Sequence, residues 1–189
     1  NLDNTLELTP NHNGLVIDGG NDIVFDGEDF VIFYLTNDAN VTFNGLTFQN
    51  LTNDGFGTAF QASWACQGGG LADVTFTDCN FTNNNGGYGS VMMVTGLNAR
   101  LDGCTFIGNG SAGSSRGAIW NVYGNVFVSD CTFENNKATN GDGGAITATA
   151  DNNAFTIEIS NSTFTGNTAS GRGGAIYTEM RNLTITDST

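Results

Sequence analysis

Apolar and polar residues alternate along this chain in short bursts, and the bursts repeat. An eight-residue pattern reads IVFDGEDF (Ile23 to Phe30), VTFNGLTF (Val41 to Phe48), VTFTDCNF (Val74 to Phe81), ARLDGCTF (Ala99 to Phe106), VFVSDCTF (Val126 to Phe133), IEISNSTF (Ile157 to Phe164) and, one residue short, LTITDST (Leu183 to Thr189). In the third copy Val74 and Phe76 fall on one side and Thr75 on the other; Thr77-Asp78 interrupts, and Cys79 and Phe81 then alternate with Asn80. Strict alternation is the signature of a half-buried strand. Gly, Asn and Asp at the break tolerate left-handed backbone angles and bond to the local main chain. Each octet therefore predicts strand, corner, strand.

Successive octets start 18 to 33 residues apart, at intervals of 18, 33, 25, 27, 31 and 26, and self-similarity at a period of this size marks a solenoid. Two further motifs recur in order. The first is FxxN (Phe81 with Asn84, Phe106 with Asn109, Phe133 with Asn136, Phe164 with Asn167). The second reads GTAF (Gly57 to Phe60), GSVM (Gly89 to Met92), RGAI (Arg116 to Ile119), GGAI (Gly143 to Ile146) and GGAI (Gly173 to Ile176). Three motifs per period imply three short strands per turn. Stacked in register, equivalent strands pair as parallel sheets with a rise of about 4.8 Å per coil, a parallel β-helix whose apolar faces are buried only when neighbours stack. The expected architecture is all-β, of about six to eight coils, with almost no α-helix, because no apolar stripe at helical spacing is sustained. Residues 1–22 lack the octet and are expected to form an irregular first coil or cap, with the β-helix repeats over 23–189. The 18-residue first interval calls for a narrower coil, and the octet that stops short at Thr189 reads as a fragment of a longer chain.

Composition sharpens this picture. Gly 27 against Pro 1, with Phe 14 as the leading aromatic, suits many short strands and turns. A net charge of -14 leaves too few cations to neutralise phosphates, which argues against nucleic acid as a partner; it suits a soluble, surface-exposed or secreted protein with divalent cations as companions. Calcium is the candidate ion, since Asp18, Asp22, Asp26, Glu28 and Asp29 supply hard oxygen donors. The alternative is a set of solvated turns, as no EF-hand spacing occurs, and no other cofactor is implied.

The paired motifs resemble the FxxN and GGA(I/L/V) repeats of the chlamydial polymorphic outer membrane proteins, and equally those of adhesin-like surface proteins of methanogenic archaea. The resemblance covers roughly Ile23 to Thr189. It implies a right-handed β-helix on a cell surface and a role in adhesion.

Cys79, Cys104 and Cys131 share one column of the octet, preceded by Leu46 and followed by Ser162 and Ser188. Replacement by Leu and Ser suits packing better than metal ligation or a disulfide ladder; Cys66 lies off the column. The Asn84, Asn109, Asn136 and Asn167 column reads as an internal amide ladder that fixes register. Catalytic machinery is thin: His12 stands alone, the five basic residues are scattered, and the expectation is a non-enzyme. The distance from the GGA-type motif to the next octet grows from 10 residues to 17 after Gly57 and 14 after Gly143, so both excursions leave one arm. Insertions on one arm map to one face, often the binding face. By alternation the column Gln61, Met93, Trp120, Thr147, Tyr177 points outward. The candidate recognition face is therefore Trp64, Trp120, Tyr123 and Tyr177 with Asp151 and Asn152. The expected function is an adhesin-like module contacting a host or neighbouring-cell surface through a glycan or protein ligand. Two alternatives stay open: a spacer or filament subunit associating end to end, and a polysaccharide-degrading β-helix enzyme.

Overall fold

The computed structural model describes residues 5–27, 29, 31–63, 72–110, 116–150, 155–180 and 182–189. Two parallel sheets wind along one axis. The larger, of 11 strands, is built from the octets; the other, of seven strands, runs through Leu6–Leu8, Phe33–Leu35, Phe60–Ala62, Met92–Thr95, Ile119–Val122, Ile146–Thr149 and Ile176–Thr178. Every strand pair is parallel and joins one coil to the next. The sole helical element among the described residues is a 3-10 turn at Pro10–His12. This is the expected parallel β-helix.

The octets pair in the register their motif dictates: Val41 on Val74, Ala99 on Val74 and on Val126, Ile157 on Val126 and on Leu183. At each corner one residue takes a left-handed φ, namely Gly45 (56°), Asp78 (51°), Gly103 (61°), Asp130 (54°), Asn161 (47°) and Asp187 (49°). These are the residue types that occupy that region most readily. The turn directs the two halves of the octet along two sides of one core. There the final Phe of each octet stacks on the next: Phe48–Phe81, Phe81–Phe106, Phe106–Phe133 and Phe133–Phe164 have ring centroids 5.2, 4.6, 4.7 and 4.7 Å apart and nearly parallel planes. Burying each ring contributes on the order of 2 kcal/mol.

The first coil departs from the expectation. Leu15–Asp18 pairs with Val41–Asn44, and Ile23–Asp26 with Leu46–Gln49. The octet thus starts at Leu15, with Gly19 to Asp22 filling a corner that Gly45 fills alone, and Ile23 to Asp26 is its second half. Counted from Leu15 to Val41, the first coil has the ordinary length of 26 residues and is not narrowed. Leu6–Leu8 pairs with Phe33–Leu35, so residues 6–22 supply paired strands of a first coil whose irregularity is the enlarged corner at Gly19 to Asp22.

The asparagine column is a closed hydrogen-bonded ladder. Asn109 Nδ2 donates to Phe81 O (3.0 Å) and to Asn136 Oδ1 (2.9 Å), while its own Oδ1 accepts from the backbone and side chain of Asn84. Asn136 repeats this arrangement, Asn84 repeats its donor half while its Oδ1 accepts from Leu51 N, and all three are fully buried. The Cys column works alike. Each thiol donates to the carbonyl two residues earlier, as Ser162 and Ser188 do with their hydroxyls. Cys131 Sγ accepts from Cys104 N, and Ser162 Oγ from Cys131 N. Cys79, Cys104 and Cys131 are free thiols in the core. The bond to Cys131, then that to Cys79 and burial, push the Cys104 thiol well above its ordinary value. Cys66 lies outside the described residues.

Two expectations follow. Asn109→Leu, which strands the partners of a buried amide, should cost about 3 kcal/mol or more in urea unfolding, whereas Cys104→Ser, which keeps both bonds of its column, should stay within about 1 kcal/mol. In a Cys66→Ser background the thiols of Cys79, Cys104 and Cys131 should react with an aromatic disulfide reagent only at the rate of unfolding; prompt reaction in that native variant would contradict the packing.

Candidate functional site

Past the last Phe of each octet the chain turns through a second left-handed residue: Asn50, Asn83, Gly108, Asn135 or Gly166. A short arm follows. Thr52–Phe56 pairs with Asn85–Tyr88, and Lys137–Ala138 with Thr168–Ala169. The arm re-enters the seven-stranded sheet through a left-handed glycine, Gly57 (φ 53°), Gly89 (61°), Gly143 (62°) or Gly173 (63°). A Cβ on Gly57 would lie 2.3 Å from Phe60 O, and one on Gly89 2.5 Å from Met92 O. Only glycine permits so close a fold-back, which explains the glycine that leads four of the five motif copies, while Arg116 leads the third without a left-handed φ.

The fold-back changes the meaning of the column Gln61, Met93, Trp120, Thr147, Tyr177. It does face away from the core: Met93 is fully buried yet stands outside the core cluster. It is not an open surface row, because Met93 and Thr147 are completely covered. Thr147 Oγ1 donates to Asp142 O at 2.7 Å, tying its strand to the chain folded over it. Trp120 and Tyr177 are half-exposed, and Thr147 separates them on the intervening strand.

Trp120 belongs instead to an aromatic ridge with Phe56 and Tyr88. Ring centroids are 5.1 Å apart for Phe56–Tyr88, 5.8 Å for Tyr88–Trp120 and 6.1 Å for Phe56–Trp120, which makes a compact triangle. The Arg116 guanidinium lies 5.5 Å from the Trp120 ring, and the indole Nε1 donates to Thr149 Oγ1 at 3.3 Å. Tyr88 is 42% exposed and crowns the group. Phe56 and Tyr88 were not among the residues expected from sequence. Their signal was there: each is an aromatic between two glycines directly before the motif, Gly55-Phe56-Gly57 and Gly87-Tyr88-Gly89.

Tyr177 sits in a separate polar cluster. The Arg172 guanidinium covers its ring at 4.3 Å, its hydroxyl donates to Glu179 at 2.9 Å, and Arg172 pairs with Asp142 at 3.2 Å. Desolvation first, and then the bond to Glu179, raise the Tyr177 phenol above its ordinary value. Chiefly through the bond from the backbone N–H of Arg172, Asp142 is held below the ordinary carboxylate range. Tyr123 is different again: it takes a left-handed φ of 58° after Ile119–Val122 and packs against the core. Trp64, Asp151 and Asn152 lie outside the described residues. Of the residues expected together, the structure unites Trp120 with neither Tyr177 nor Tyr123 in one ridge.

Of the acidic residues near the start, Asp18 accepts from Gly20 N within its own turn, whereas Asp26 and Asp29 are engaged with the next coil. Asp26 accepts from Asn50 Nδ2 and then from Gln49 Nε2, which lower its pKa in that order, and Asp29 accepts from Thr52. Glu28 lies outside the described residues. Chemically, the ridge offers an apolar aromatic surface bordered by a cation, suited to stacking and desolvated contact.

The Asp142 carboxylate sets a pH dependence. Its folded pKa is lowered, so its contribution is present above the ordinary carboxylate value of about 3.9 and is lost as pH falls through the folded value. Asp142→Asn should melt below the parent at pH 7, and the two melting curves should converge at acid pH. A gap that stays constant with pH would sink this reading.

The model of the "Right handed beta helix region" family matches residues 3–189. The chain is also 33% identical over 124 residues to a probable autotransporter, YfaL, of Escherichia coli (strain K12), an alignment covering 56% of this chain and 10% of that protein. The chain thus spans about a tenth of the length of that relative. No solved structure matches it. The family match over almost the whole chain agrees with the coil-on-coil parallel pairing, and the chain belongs to the right-handed β-helix family.

Proposed function

We propose that this chain is an extracellular, surface-displayed β-helix module that mediates adhesion to a host or neighbouring cell through a glycan or protein ligand, without catalysing a reaction. The observation that carries the proposal is the Phe56–Tyr88–Trp120 ridge, an aromatic surface outside the core, raised on arms that lead from the octets into the seven-stranded sheet. Exposed aromatic clusters beside an arginine are the composition of binding hot spots. Similarity to a protein named as a probable autotransporter supports an outer-surface location. So does the likeness of the FxxN and GGA-type repeats to polymorphic outer membrane proteins and archaeal adhesin-like proteins.

A glycan array and a whole-cell binding screen of the folded chain, run beside Tyr88→Ser and the double variant Tyr88→Ser/Trp120→Ala, test this. Binding that falls at least about tenfold in the double variant, with melting behaviour close to that of the parent, is the expected result. Binding unaffected by either variant would move recognition off the ridge, and absence of any binding would favour a spacer. Release of reducing ends from a polysaccharide panel would replace adhesion with catalysis.

A further inference from the structure

The outer face of the octet sheet holds a groove that the aromatic ridge does not share. Its lining comes from three successive coils: Phe127, Glu158 and Thr184 form one wall, and Ser129, Ser160 and Thr186 the other. The wall residues are register partners, Phe127 on Glu158 and Glu158 on Thr184, with Ser129 on Ser160 and Ser160 on Thr186 opposite. The groove encloses about 260 Å³. Phe127 is the aromatic of an outward column that otherwise reads Val16, Thr42, Thr75, Arg100, Glu158 and Thr184.

We infer that this groove docks an arginine side chain presented by a basic segment of a partner protein. The chain already shows the chemistry on the neighbouring coil. Arg100 lies over the Phe127 ring at 4.2 Å while its Nε pairs with Asp73 at 2.9 Å, so the ring holds a guanidinium that a carboxylate neutralises. Arg100 comes from the coil before Phe127, whereas the groove is lined from Phe127 and the two coils after it, with Glu158 as the carboxylate. A second guanidinium entering there meets an aromatic ring, a carboxylate and a wall of hydroxyls that accept its remaining donors. Charge complementarity favours a cationic occupant. Asp130 and Asp187 belong to octets that line the groove and Asp102 to the octet before it, and Arg100, already paired, is the sole cation on the described strands of that sheet. The net charge of -14 steers basic partners toward the module. This inference needs the module to meet other proteins but not the ridge to bind, so its failure and that of the adhesive reading are separable.

The test is fluorescence anisotropy of a labelled tetra-arginine peptide against the whole chain at about 0.15 M salt, where diffuse attraction is screened beyond about 8 Å. Phe127→Leu and Glu158→Gln should each weaken binding about threefold to fivefold, while Glu134→Gln, a charge removed outside the groove, should change it less than twofold. Circular dichroism melts confirm that the variants fold, and the exposed Glu158→Gln carries the test should Phe127→Leu not. Equal loss in Glu134→Gln, or no measurable binding, would overturn the proposal. So would a β-1,4-glucosamine tetramer that binds more tightly with the same dependence on Phe127 and Glu158, since that would assign the groove to an amino sugar.

Discussion

Parallel stacking in register is the constraint on which everything else in this molecule depends. A strand can donate and accept all its ladder bonds only if the coil above it turns at the same residue, so the corner residue must recur at the same place. It does so as Gly, Asp or Asn with a left-handed φ from Gly45 to Asp187. The buried amides of Asn84, Asn109 and Asn136 hold that alignment from within, because each saturates a backbone carbonyl of the preceding coil and a side chain of the next. A slip of one residue would break these bonds and turn the phenylalanines to solvent.

Register also explains how binding surfaces arise on so regular a rod. Whatever stands at an outward position is repeated at the spacing of the coils, so a functional patch needs only a few consecutive departures from the polar consensus. On the octet sheet these are Arg100, Phe127 and Glu158 in three adjacent coils. The ridge arises differently. There the backbone doubles back through left-handed glycines, covers Met93, and lifts Phe56 and Tyr88 beside Trp120.

Much of the architecture was legible because alternation with a fixed corner has one physical meaning. The octets from Val41 onward, the amide ladder and the interchangeability of Cys and Ser all followed from column membership. The first coil was misread since Gly19 to Asp22 lengthens its corner, so that Ile23 to Asp26 resembled the opening half of an octet rather than its close. The ridge was only half legible. Period-two alternation correctly turned Trp120 away from the core, but it carries no information about a segment that folds over the sheet from elsewhere. Met93 and Thr147 were therefore expected in solvent, and Phe56 and Tyr88 were passed over. Recognising them required the distance between an arm and a strand that belong to different motifs.

The asparagine ladder has a consequence for how damage spreads. Each rung interacts with the coil on either side and with no other, so the column behaves as a chain of links rather than as a shared core. A broken link near an end shortens the cooperative unit by a coil. The same break at Asn109 divides it into two pieces, each with a newly bared face of stacked rings. Position along the rod, more than the chemistry of the substitution, then decides whether a lesion trims the module or bisects it.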